Sequence, residues 1–200
     1  MGKIPTILLF LLSLTACKPA ENDPVLTQIV IDKNDLSNFK YFNLENSIIF
    51  PFDFTLNEYT DSFLLDVDNN EVIDFIFKFS YFRNHKSYLV NLSLSPQNKN
   101  QVATGNKRTF TGLFPALPLS EKDTVDNRLT WQNEPVLMYE ATADESFPVI
   151  GLCYNQPDKF LGIKFNNHSK DHFGWIEFSS VNHYLEIKSW AISRYQAIWW

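Results

Sequence analysis

Cysteine is nearly missing from this chain: 200 residues hold two, Cys17 and Cys153. So small a number excludes a disulfide-stapled scaffold and a thiolate metal cluster. Glycine is scarce as well, with six residues, and the chain lacks phosphate loops, serine-hydrolase elbows, paired-thiol motifs and zinc-protease helices. Basic residues are in the minority, 17 Lys and Arg against 23 Asp and Glu, for a formal net charge of −6. That balance argues against nucleic acid as a partner and against electrostatic adhesion to anionic lipid, since both need clustered cations. No apolar run is long enough to cross a bilayer as a stable helix. Amphipathic helical periodicity is also wanting; Leu119 to Leu129, with Ser120 as a cap and Glu121 and Asp123 in a first turn, is the one stretch that predicts a short helix.

What is present is apolar and aromatic. Hydrophobic residues make up 44% and aromatics 16%, enough for a sizeable core in a single domain. Short runs rich in aromatic and β-branched residues alternate with Asn, Asp, Gly and Pro punctuation, the pattern of successive strands. Ser62–Asp66 and Val72–Phe79 flank a polar turn and predict a hairpin; Ser87–Leu94 predicts a further strand. Phe160–Phe165, His172–Phe178 and Tyr184–Trp190 predict three more near the end. Period-two alternation in the last of these places Leu185, Ile187 and Ser189 on one face. Pro96 to Pro135 reads as long polar loops with one or two short strands. The expected fold is therefore all-β: a single antiparallel sandwich or open barrel with little helix, occupying residues 25–200.

The amino terminus carries the most specific signal. Lys3, the apolar run from Ile7 to Leu14, the small residues Thr15 and Ala16, and then Cys17 resemble the signal of a bacterial lipoprotein. The resemblance implies that residues 1–16 are a processed signal peptide and that the Cys17 thiol receives the lipid. Residues 17–24 then form a flexible, proline-bracketed tether. Loss of Lys3 leaves 16 basic against 23 acidic residues, so membrane attachment must come from acyl chains, at about 0.8 kcal/mol per buried methylene. Lys18 is not the aspartate that retains some lipoproteins at the inner membrane, so the resemblance implies an outer-membrane location. With Cys17 acylated, Cys153 has no disulfide partner, and its apolar neighbours Val149–Tyr154 read as those of an inert buried thiol.

One stretch has the chemistry of a cation loop. Asp66, Asp68, Asn70 and Asp74 put side-chain oxygens at loop positions one, three, five and nine, and the Val72 carbonyl falls at position seven. Hard oxygens at alternate residues can curl around calcium. Asn70 removes a charge, however, and Glu71 occupies the sixth position, where a positive φ favours glycine. The other reading is a polar hairpin turn whose side chains bond their own backbone. The expectation is a hairpin that binds calcium weakly or not at all. Together with Phe160–Phe165 and His172–Phe178, this stretch is similar to a loose group of secreted bacterial β-proteins. Those pair a D-x-N-x-D-G-x-x-D-F turn with a late Y-G-W strand and commonly have no assigned activity. That likeness implies an extracytoplasmic β-fold and leaves function open.

The remaining candidates are weaker. His168, Asp171 and His172 read as solvated residues of a turn, with no third metal ligand indicated by spacing. Trp175 reads as core. Trp199 and Trp200 are either docked by the last strand, which is the expectation, or an exposed contact patch. No catalytic residue is assigned. The leading expectation is a non-catalytic envelope module that binds a protein or glycan. A glycan hydrolase with two carboxylates from distant strands, about 5–10 Å apart, is the alternative from another class, and a purely structural envelope component is the third.

Overall fold

The computed structural model describes residues 25–50, 57–83, 87–142, 149–167, 170–181 and 184–197; Cys17, His168, Trp199 and Trp200 lie outside them. Strands are numbered in chain order. One sheet has five, in the spatial order β4 (Glu58–Leu65), β5 (Phe75–Arg83), β6 (Tyr88–Pro96), β12 (Val136–Thr142) and β8 (Phe114–Pro115). The other has seven: β11 (Thr130–Gln132), β7 (Gln101–Thr104), β13 (Gln156–Asn167), β14 (Lys170–Val181), β15 (Tyr184–Ser193) and β3 (Phe39–Phe50), with β9 (Pro118–Leu119) also pairing β13. Within these two sheets pairing is antiparallel except at β8, which joins β12 in parallel. The two sheets stack as a sandwich and do not close into a barrel, and the described residues contain no helix. Two small ribbons complete the chain: β2 (Gln28–Val30) against β10 (Thr124–Asp126), and β1 (Val25–Leu26) in parallel with β16 (Gln196–Ala197).

Side-chain alternation explains which face goes where. In β5, Phe75, Phe77, Phe79 and Tyr81 are buried while Lys78, Ser80 and Phe82 are exposed, so the five-stranded sheet has one wet face. The seven-stranded sheet is covered on both sides. Leu161, Ile163, Phe165, Ile176 and Phe178 enter the core between the sheets. Phe160, Phe173 and Trp175 enter a second core, closed by Ile29 and Ile31 at β2, Val125 of β10 and Leu119 of β9. Each fully buried side chain of this size contributes roughly 1.5–3 kcal/mol.

Three sequence expectations are corrected. Leu119 to Leu129 is not a helix. It ends β9, turns, and runs through β10, because Asp123 accepts the Ser120 N–H at 2.7 Å and its own N–H reaches the Ser120 carbonyl at 3.1 Å. Asp and Ser here close a turn on themselves, the competition that weakens both residues as helix formers. The 96–135 stretch holds five short strands rather than one or two. Ser189 does not share a face with Leu185 and Ile187: Glu177 and Phe178, adjacent in β14, pair with Ser189 and Ile187, so Lys188 is an extra residue. This bulge reverses the alternation. Ile187, Trp190 and Ile192 thus line the inter-sheet core while Ala191 faces the second one.

Among the described residues β4 is an edge strand, and it carries an exposed charge on its core-side face. Asp61 lies between Tyr59 and Phe63, which pack on the core, and its carboxylate takes the Tyr59 hydroxyl at 2.8 Å and the Ser62 N–H at 2.7 Å. A charge so placed discourages pairing with another strand.

Gly174 shows how closely β14 and β15 approach. A Cβ there would collide with the Ala191 carbonyl oxygen, which is backbone and cannot swing away, and would come within 3.0 Å of Ile192 Cγ2. Gly174→Ala should lower the denaturant midpoint at unchanged slope, with a loss of about 2–4 kcal/mol. A midpoint equal to that of the parent protein would contradict this packing.

Candidate functional site

The Asp66–Asp74 stretch is the connection between β4 and β5, which pair antiparallel from Leu65 with Phe75 outward, so the expected hairpin is present. Asn69 and Glu71 adopt φ of 61° and 69°. Glutamate therefore takes the left-handed conformation that glycine would accept without strain, and the chain completes the curl despite its side chain. Asp66 is what holds the curl. Its Oδ1 accepts the N–H groups of Asp68 at 3.3 Å and Asn70 at 3.2 Å, and its Oδ2 that of Glu71 at 2.6 Å. Asn70 uses its side-chain oxygen on the Val72 N–H at 2.8 Å.

Asp74 is buried at the base of the turn. Its Oδ2 accepts the Val67 N–H at 2.9 Å, and its Oδ1 accepts the Asn100 side-chain amide at 3.0 Å. Asn100 in turn accepts the Asn166 N–H at 2.8 Å, which ties the turn to β13 in the opposite sheet. Trp190 adds a second tie by donating its indole N–H to the Val67 carbonyl at 3.2 Å.

Carboxylate oxygens of Asp66, Asp68 and Asp74 lie within 4.8 Å of one another. Asn70 and Val72 are exposed on the same turn. Burial raises the Asp74 carboxyl above its ordinary range against the pull of the Val67 N–H and Asn100, and nearby Asp68 and Asp66 raise it further. Asp68 is raised too, by burial and then by its contact with Asp66. Asp66 ends below the ordinary range: burial pushes it up, but the surrounding backbone N–H groups outweigh that. Ionisation is thus easier at Asp66 than at Asp68 or Asp74.

Other candidates scatter. Asp171 and His172 sit in β14, half-buried, rather than in a solvated turn. Asp171 accepts the Asn166 amide at 2.5 Å, and His172 Nδ1 lies 3.0 Å from the Ser193 carbonyl. Burial lowers the imidazole's affinity for a proton. Cys153 is fully buried with its thiol directed at the Ala116 carbonyl, 3.6 Å away, and burial pushes the thiol well up, as an inert cysteine requires. Trp175 is core, and Trp190 is buried at the inter-sheet contact.

Sequence reasoning missed a layer of buried charge on the outer face of the seven-stranded sheet. Glu177 accepts both Lys33, at 2.8 and 3.0 Å, and the Ser189 hydroxyl, at 2.5 Å. Lys164 is 1% exposed, with its ammonium 4.4 Å from the Trp131 ring centre and 5.6 Å from that of Phe173. In a run such as Phe160–Phe165, a lysine reads as an exposed alternate residue, and only packing with Trp131 and Phe173, from other strands, buries it. Beside this layer, a groove of about 220 Å³ is lined by Leu26, Ile29, Asp32, Asp35 and Phe39. Lys122, in an ion pair with Asp32, holds that carboxyl below its usual range, the opposite of what a general acid needs.

No protein-family model matches the chain, and no curated protein or solved structure matches it.

Burial lowers the Lys164 ammonium from its ordinary value near 10.5 to about 8. Between those values the unfolded chain holds a proton that the folded chain has released, so this group makes the fold more stable as pH rises through that window. The penalty for burying the charge is fully present below it and is on the order of 3 kcal/mol. Lys164→Met should therefore be more stable than the parent near pH 7, with the difference shrinking towards pH 10.5 in parallel denaturant titrations. A difference independent of pH would mean that the amine titrates as it does in water.

Proposed function

We propose that this chain is a lipid-anchored protein of the bacterial cell envelope, acylated at Cys17 and held at the outer membrane, whose sandwich is a non-catalytic module for binding a protein or glycan. The observation that carries the reading is the run Leu14-Thr15-Ala16-Cys17 behind an apolar segment, followed by a short polar tether that ends at Val25. Geometry gives the reading a direction. Val25 pairs with Gln196, just beyond the end of β15, so the tether joins the sandwich at the end where β13 finishes and β14 begins. Ile49, Phe82, Leu89, Val181 and Tyr184, all more than a third exposed, sit at the opposite end of the strands. Twelve residues of strand separate the two ends by about 40 Å. These apolar side chains come from both sheets and lie away from the tether, where a partner could reach them.

Mass spectrometry of the protein from its native host should find a mature chain that begins at diacylglyceryl-modified Cys17, and Cys17→Ser should release or misprocess it. Unmodified soluble protein cut at another position would overturn the anchor.

The Asp66–Asp74 turn we read as structural, taking calcium weakly or not at all. Its support is the hydrogen bonding: Asp66 and Asp74 already accept five donors between them, and a cation must compete with those for the same oxygens. Any ligand that binds the folded state tightly raises the melting temperature as it is added. Melts in chelator and then in millimolar calcium should coincide within a degree or two. A large upward shift that vanishes in Asp66→Ala would make the turn a working cation site.

A further inference from the structure

The net charge argues against adhesion of the whole chain to anionic lipid, yet charge is not spread evenly. From Phe75 to Ser120 there is no Asp or Glu, while Lys78, Arg83, Lys86, Lys99, Lys107 and Arg108 all fall within that stretch. Two of these, Lys107 and Arg108, closely precede Phe110, which at 77% is the most exposed large apolar side chain among the described residues. Phe110 stands at the tip of the connection between β7 and β8. Several bonds brace that tip: Thr109 N–H to the Leu113 carbonyl at 2.8 Å, Gly112 N–H to the Thr109 carbonyl at 3.0 Å, and Arg108 Nη1 to the Gly112 carbonyl at 2.6 Å. The Arg108 guanidinium also lies 4.6 Å from the centre of the Phe114 ring and 3.7 Å from Glu134. Glu134 is two residues before β12, whose first residue pairs with Leu94 towards the end of β6. The β6–β7 turn at that end bonds through Asn100 to Asn166, near the end of β13. Phe110 is therefore presented at the same end of the sandwich as Val25, where the tether begins.

We propose that the Phe110 tip is a membrane wedge: the ring enters the interfacial layer of the bilayer that holds the anchor, and Lys107 and Arg108 meet anionic lipid headgroups. This inference rests on the anchor proposed above, because a short tether is what keeps a chain of net negative charge within reach of the surface. An aromatic ring closely preceded by cations is matched to a layer that is apolar beneath and anionic above. A braced turn loses little conformational freedom when it inserts.

The test uses the acylated full-length protein in vesicles of phosphatidylethanolamine and phosphatidylglycerol. Phe110→Cys and, separately, Phe82→Cys are labelled with an environment-sensitive fluorophore; acylation occupies Cys17 and burial shields Cys153. The label at 110 should shift to the blue and be quenched at least severalfold more by acyl-brominated lipid than the label at 82. Adding Lys107→Glu should reduce that quenching by half or more. Equal quenching at 110 and 82 overturns insertion, and quenching indifferent to Lys107→Glu overturns the headgroup contact. The mass of the Cys17 peptide from the same sample reports the anchor separately, and an unacylated Cys17 removes the tether on which the wedge depends.

Discussion

The central strands of the seven-stranded sheet are buried on both faces, and the rest of the structure is arranged around covering them. In β13 and β14, adjacent residues are buried in different cores, so neither strand tolerates water on either side. The five-stranded sheet covers one face with the regular alternation of its own strands. The other face is covered by pieces remote in sequence, with Ile29 and Ile31 from the amino-terminal segment meeting Leu119 and Val125 from the middle of the chain. The segment that carries Leu26, Ile29 and Ile31 must therefore lie against the sheet for it to be dry.

Two-sided burial also accounts for the charges inside the second core. A covering ribbon only two strands wide cannot supply an unbroken apolar surface, and polar side chains of the sheet that fall beneath it must find partners there. Glu177 does so with Lys33 and Ser189, and Lys164 lies over the faces of Trp131 and Phe173. Paired in this way a buried charge is tolerated rather than strongly stabilising. The Lys188 bulge belongs to the same arrangement, since it turns Ser189 towards Glu177 and leaves Trp190 facing the inter-sheet core.

What could be read from the sequence follows from how local each feature is. β4, β5, β6, β13, β14 and β15 were legible because their apolar runs exceed what a loop can carry, and the β4–β5 hairpin because its turn residues sit between two such runs; β3, with polar residues interspersed along its twelve positions, and β12 were not singled out. Leu119–Leu129 misled because Ser, Glu and Asp before an apolar residue serve a helix start and a tight turn equally well; contact with β13 and β2 decided for the turn. Strands of two or three residues, such as β1, β8 and β16, have no periodicity to detect, and they exist only because a neighbour offers an edge. The same division holds at the site. Asp66, Asp68 and Asp74 are close in sequence and were found together, whereas Asn100, which joins Asp74 to the opposite sheet, is separated from it by the whole of β5 and β6.

That joint gives the acidic turn a role independent of any ligand. Asp74 and Asn100 connect Val67, at the mouth of one sheet, to Asn166 in the other, and Trp190 reaches Val67 from a third direction. These bonds lie at the end of the sandwich where β4 turns into β5 and β6 into β7. Buried polar groups there are satisfied only in one relative position of the two sheets, so they select that position even though each bond adds only about 1 kcal/mol net. Asp66 serves the same end indirectly, since by holding Glu71 in a left-handed conformation it keeps Asp74 and Val67 within bonding distance. A cation that drew Asp66 or Asp74 to itself would loosen the arrangement that placed them together.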